Sequence, residues 1–165
     1  MDRDRPFCHP FGKIVSLVFD ATKHPLFKQK PSDFSLWCWR KRKKRLEVWE
    51  KAYNNVYSTV GKISLGEQLD LMPYLDLMIS MDSANGHMAA NYGTKVLTLW
   101  GMTHPFCGFA PFNQPLDHSL TLDRSLYPLI PTSVYGNRIP EGYQDAFRSM
   151  DPKRVIEKTL ELLKH

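Results

Sequence analysis

No stretch of this chain carries the ~18 consecutive apolar residues that a bilayer-spanning helix requires. The opening "MDRDRPFCHPFG" has acids and prolines where a secretory leader would have an apolar core, so no such leader is expected. Cysteine is scarce: Cys8, Cys38 and Cys107 are scattered and odd in number, which excludes a disulfide framework and offers no metal-ligand spacing. Reduced thiols in the cytoplasm are the expectation, with a peripheral position at the inner membrane as the second option. There is no internal repeat, and the sole low-complexity feature is a basic run.

That run decides how the charge is read. The formal net charge is +5, yet removing the six consecutive basic residues from Arg40 to Arg45 leaves −1. A surface-wide basic stripe is therefore lacking, and a general nucleic-acid binder is poorly supported. At 165 residues with 42% apolar content, the chain is long and apolar enough to bury a core, as one domain or as part of something larger.

Organisation changes near residue 46. Upstream, Pro6, Pro10, Pro25 and Pro31 interrupt short apolar pieces and no helical or strand period persists. Downstream, each segment reads cleanly. "RLEVWEKAY" places Leu46, Trp49 and Tyr53 on one helical face. "VYSTVG" is a short β-branched strand, and Ser64 with Glu67 has capping-box spacing for a helix that Pro73 stops near Met72. "YLDLMISM" is a nearly continuous apolar strand of the kind covered on both faces in a parallel sheet. A short helix is expected over residues 85–91 with Gly93 at its end, then the strand "KVLTLWG". Asp151-Pro152 opens a final helix with Val155, Ile156, Thr159, Leu160 and Leu163 as its apolar stripe. Alternating strands and helices joined by short loops imply an α/β fold: a Rossmann-like parallel sheet with flanking helices.

The stretch "MDSANGH", residues 81–87, lies between two apolar strands and holds unusual hydrogen-bonding capacity. In open parallel sheets ligands gather beyond the carboxyl ends of strands, where helix N-termini also point. Ser83 and the backbone N–H groups of Ala84, Asn85 and Gly86 would stand at the start of the helix, an arrangement that favours phosphate. Asp82 would repel phosphate and should face sugar hydroxyls or a neighbouring N–H. His87 can donate to an anionic oxygen or simply hold the loop. An ordinary N-cap with a structural histidine remains the alternative. The following "LWGMTHPFCGFAPFNQP" is an aromatic-rich loop that suits either packing or a site.

"SMDSANGHMAANYGTKVLTLWGMTHPFCGF", preceded by "VYSTVGKISLGEQLDLMPYLDLMI" and followed by "SVYGN", resembles the ADP-heptose–lipopolysaccharide heptosyltransferases of glycosyltransferase family nine. The resemblance runs from about residue 46 to 140. It implies the C-terminal, donor-binding half of a GT-B fold, residues 46–165, with 1–45 as a degraded or frame-shifted start of that domain. By position, Asp82, Ser83, Ala84, Asn85 and His87 match the family's Asp-Ser/Thr-Gly-x-x-His donor loop, with Ala84 where many members have glycine. Ile63 in "GKISL" would touch the nucleobase, and Lys13 in "FGKI" would reach a donor phosphate. The resemblance implies no bound cofactor or metal, a nucleotide-sugar donor such as ADP-heptose as substrate, and a lipopolysaccharide-core acceptor in a complete enzyme.

Two departures accompany it. The family's catalytic base belongs to the other half of the fold, so turnover by this chain alone is not expected and its own catalytic residues are unassigned. The family's glycine-rich turn is replaced by "SLWCWRKRKK". Trp is encoded only by TGG and Cys only by TGC or TGT, so Trp37-Cys38-Trp39 read one nucleotide later gives Gly-Ala-Gly or Gly-Val-Gly. Residues of about 15–44 are therefore expected to include out-of-frame stretches, which the coding DNA would show. The competing functional reading is a non-catalytic module or remnant whose basic run binds nucleic acid.

Overall fold

The computed structural model describes residues 16–19, 32–35, 43–53, 56–59 and 61–164. Lys13 and the "LWCW" stretch lie outside the described residues. The elements in chain order are β1 (Ser16–Phe19), β2 (Ser32–Ser35), α1 (Lys43–Ala52), β3 (Val56–Ser58), α2 (Leu65–Leu71), β4 (Leu75–Met81), α3 (Ala84–Asn91), β5 (Val96–Leu99), β6 (Ser119–Leu120) and α4 (Pro152–Leu163). The strands form a mixed sheet in the order β3-β2-β1-β4-β5-β6.

The half that the sequence patterns describe best is parallel. Strands β4, β5 and β6 run the same way, with Met78 opposite Val96, Met81 opposite Leu99, and Leu99 opposite Leu120. On the other side β1 is antiparallel to both β2 and β4, so the expectation of a parallel sheet holds for β4–β6 and for the β2–β3 pair only. The register slips beside Val18, where Leu77 and then Leu75 are the successive partners, leaving Asp76 as the extra residue of a bulge.

Alternation along β4 and β5 divides the core between the two faces of the sheet. Leu77, Ile79, Leu97 and Leu99 pack with Met102, Leu122, Ile130 and Leu162 on the α4 side. Met78 and Val96 pack with Met72, Ala89 and Ala90 on the α3 side. Both faces of β4 are thus dry, as its unbroken apolar run predicts. Burying each such side chain is worth roughly 1.5–3 kcal/mol, which outweighs any single cap or surface ion pair.

Helix ends follow their local chemistry. The Ser64–Glu67 capping box is complete: the backbone N–H of Ser64 donates to Glu67 Oε2 at 2.7 Å, and that of Glu67 donates to Ser64 Oγ at 3.3 Å. The Ser64 N–H and hydroxyl, both donating to Glu67 Oε2, hold that carboxyl below its ordinary pKa. Pro73 falls inside a 3-10 turn, Met72–Tyr74, that finishes α2 and delivers the chain into β4. Helix α3 closes in a Schellman motif, with Gly93 N donating to Ala90 O and Thr94 N to Ala89 O around a Gly93 φ of +80°.

The apolar stripe of α4 is rotated from the one expected. Leu162 is its buried residue, while Ile156 and Leu160 are 57% and 54% exposed. At 100° per residue, Val155, Thr159, Leu162 and Leu163 share the inner face, and Ile156 and Leu160 stand a quarter-turn round from it. On α1 Leu46 is buried as expected, but Trp49, and Tyr53 just past the helix, are exposed. Among the described residues no helix is long and apolar enough to cross a membrane.

Candidate functional site

Three connecting loops meet beyond the carboxyl ends of β4 and β5. The first is Met81–Ser83, leading into α3. The second is Gly101–His104 after β5, and the third is a turn over Ser133–Asn137. The third is tied to the second, because Thr132 N and Thr132 Oγ1 both donate to Met102 O, at 3.0 and 3.4 Å. The turn closes on itself through Ser133 Oγ, which accepts from Asn137 N at 3.1 Å and lies 2.8 Å from Asn137 Oδ1.

Helix α3 approaches the sheet closely because its inner residues are small. A Cβ on Gly86 would lie 3.2 Å from Ser80 Oγ and 3.4 Å from Val96 Cγ1. Ala89 and Ala90 continue the close contact one turn later. The helix N-terminus is thereby held directly over the ends of the strands, where its first N–H groups lack intrahelical acceptors.

The polar side chains of this segment differ in what they bind. Ser80 is wholly buried and donates to Met81 O at 2.7 Å, and its Oγ lies 2.9 Å from Ser83 Oγ. Ser83 occupies the N-cap position with extended backbone, φ −160° and ψ 161°, yet its side chain accepts no helix N–H. Asp82, Asn85 and His87 make no side-chain hydrogen bond or ion pair with any described residue. Asn85 does so although it is only 7% exposed. Its amide atoms keep contact with solvent and stay open to a ligand.

Of the other expected contributors, Ile63 is half-buried in the turn before α2, where its carbonyl accepts from Gln68 Nε2 at 3.4 Å. Its neighbour Lys62 is engaged by Glu50, with Nζ 2.6 Å from Oε1. The structure thus brings Asp82, Ser83, Ala84, Asn85 and His87 together at one loop-helix junction, and Lys13 lies outside the described residues. Among the described residues no three His, Cys, Asp or Glu side chains gather as a metal-holding group.

Sequence reasoning missed two residues, one at this junction and one at the opposite end of the sheet. Ser80 is one; a serine inside the apolar run "MISM" is the signal, since a hydroxyl buried in a strand needs a partner. Gln114 is the second. Its Oε1 accepts from Val96 N at 2.8 Å and its Nε2 donates to Thr94 O at 3.3 Å, covering the start of β5 where β6 is too short to pair. His104, expected in an aromatic-rich loop suited to packing or a site, is buried beside the Gly101–Met102 turn and accepts from Phe106 N at 3.3 Å through Nδ1.

Burial holds the His104 imidazole below its ordinary pKa, and the Arg124 cation adds to the effect. The folded value being depressed, the unfolded chain takes up this proton first as the pH falls. The contribution is intact above the unfolded value of about 6.5 and is lost as pH drops through the folded one. The thermal midpoint is expected to fall between about pH 7 and pH 5.5, and to fall less steeply in His104→Gln. Equal slopes in the two proteins would show that His104 carries none of the dependence.

Two cavities of about 550 and 620 Å³ open at the opposite end of the sheet, sharing Gly93 and Lys95. Neither is lined by the Asp82–His87 segment. The Lys95 ammonium there already donates to Leu162 O at 2.7 Å, satisfying the end of α4. The unpartnered side chains of Asp82, Asn85 and His87 single out the carboxyl end of the strands.

A family model described as glycosyltransferase family 9 (heptosyltransferase) matches residues 34–129. The match begins upstream of the clean periodic region, takes in β3 to β6 with the loop of Asp82–His87, and stops short of the Ser133–Asn137 turn. No curated protein and no solved structure matches the chain. With more than half of its length matched, the chain belongs to glycosyltransferase family 9, the heptosyltransferase family.

Proposed function

We propose that the junction of β4 and α3 binds the diphosphate and sugar of a nucleotide-activated heptose, as the donor side of a GT-B glycosyltransferase. The observation that carries this reading is that Asp82, Asn85 and His87 stand at the carboxyl ends of the parallel strands β4 and β5 with no protein partner among the described residues. The free N–H groups of the first turn of α3 and its positive dipole end suit the diphosphate. The amide of Asn85 and the imidazole of His87 add donors to its oxygens. The Asp82 carboxylate faces hydroxyls of the sugar, since it would repel phosphate.

In the transfer reaction, the bond between the anomeric carbon and the diphosphate breaks as an acceptor hydroxyl of a lipopolysaccharide core attacks that carbon. Donors placed on the departing diphosphate stabilise the negative charge that develops there. Ile63 supplies apolar contact for the nucleobase, and residues 46–165 form the donor-binding unit.

Calorimetric titration with ADP and with ADP-heptose tests the reading. Removing a hydrogen bond to a charged group costs about 1.5–3 kcal/mol, so His87→Ala is expected to weaken both ligands by at least about tenfold. Asp82→Ala should weaken ADP-heptose more than ADP, because its partner is the sugar. A wild-type protein that binds neither ligand at about 10 mM would overturn the assignment.

A further inference from the structure

We propose that Ser80 is a positioning residue of this site: its buried hydroxyl draws the Ser83 side chain away from the N-terminus of α3 and so keeps that end open for an anion. The inference rests on the donor reading above and explains how the loop avoids closing itself.

The helix caps of the same chain supply the contrast. Ser64, with φ −70° and ψ 167°, accepts from Glu67 N, and Asp151 accepts from Lys153 N at 2.9 Å. Ser83 has a capping residue type, a capping position and extended backbone, yet it caps nothing. What sets it apart is the serine three residues before it, inside the strand. Ser80 sits on the α3 face of β4, 2.9 Å from Ser83 Oγ.

Proton counting fixes the direction of that contact. A hydroxyl carries one proton, and that of Ser80 goes to Met81 O at 2.7 Å. In the pair, therefore, Ser83 donates and Ser80 accepts. The Ser83 hydroxyl is committed to the sheet, and the relay runs from Ser83 through Ser80 to a strand carbonyl.

Within the first turn, Gly86 N donates to Ser83 O at 3.2 Å. The N–H of Asn85, which a capping side chain would otherwise occupy, stays available together with that of Ala84. Without the Ser80 hydroxyl, Ser83 Oγ has no acceptor in the sheet and turns to the helix N–H groups, where it competes with any anion. Ser80 thus converts an ordinary capped helix start into an open one without touching the ligand.

Residue-resolved amide exchange of the unliganded full chain, together with calorimetric binding of ADP, tests this in Ser80→Ala, Ser83→Ala and the double variant. In Ser80→Ala the Asn85 amide is expected to exchange about fivefold more slowly as Ser83 caps it, and ADP to bind about fivefold more weakly. Both effects should disappear in Ser80→Ala/Ser83→Ala. Such rescue by a second deletion is something that general destabilisation of the strand would not produce. Unchanged exchange and affinity in Ser80→Ala, or a double variant no better than the single one, would overturn the role of Ser80. A wild-type chain that ignores ADP would overturn the donor reading and this role with it. Exchange changed as expected alongside wild-type ADP affinity would leave the donor reading standing and reject Ser80 as a determinant of binding.

Discussion

Trp100→Ala is expected to destabilise the protein by about 3–5 kcal/mol, the range for deleting a large buried aromatic side chain. Trp100 is 0% exposed at the end of β5, where its backbone N–H donates to Leu120 O at 2.8 Å and extends the pairing with β6. A domain of this size has only about 5–15 kcal/mol in total, so the loss is a large fraction of its stability and should show as a clear fall in the unfolding midpoint. The same side chain carries an internal conflict: its indole N–H is buried and has no hydrogen-bond partner among the described residues. Leaving such a donor unsatisfied costs about 1–3 kcal/mol. Trp100→Phe removes that donor while keeping most of the ring, and it is expected to stay within about 1 kcal/mol of wild type. Urea unfolding of the three proteins, followed by circular dichroism, checks the pair of values. If Phe proves as damaging as Ala, the site depends on the intact indole and its N–H is no burden.

What could be read in the sequence, and what could not, divides along physical lines. The Ser64–Glu67 box, the apolar run of β4, the Gly93 terminus and the Asp151-Pro152 start are all local: each depends on residues within one or two turns of each other. The same holds for the Asp82–His87 junction, whose position follows from the strand before it and the helix after it. The misread parts depend on distant partners. Ile156 and Leu160 have the spacing of a buried stripe, yet which face of α4 turns inward is set by Leu97, Leu122 and Ile130 across the sheet. The direction of β1 is likewise invisible in its own four residues, because only its pairing with β4 and β2 defines it. Gln114 looks like an ordinary loop residue, and its service to the start of β5 arises because β6 contributes just Ser119 and Leu120. Ser80 falls between these cases: its burial is legible from the apolar run, but its bond to Ser83 needs the turn between them.

The second large effect is expected at Gly136, where a methyl group is excluded twice over. Its φ is +61°, a left-handed conformation that costs an L-residue such as alanine roughly 1–2 kcal/mol. A Cβ placed there would also lie 2.7 Å from Thr103 Cγ2 and 3.4 Å from Met102 Cβ. Thr103 is buried and β-branched, so its methyl cannot easily rotate away, and overpacking of this kind adds about 1–3 kcal/mol. Gly136→Ala should therefore lose about 2–5 kcal/mol from the sum of both terms. The two contributions are separable by experiment. Thr103→Ser deletes the offending methyl, so Gly136→Ala in that background should recover the steric part and retain the backbone part. Additive losses in the double variant would mean that the clash is relieved elsewhere and only the left-handed backbone resists substitution. Because this turn is tied to Met102 through Thr132, its displacement also reaches the loops beyond β5. Gly136→Ala is thus expected to weaken ADP binding as well, with Thr103→Ser restoring part of that affinity in step with stability.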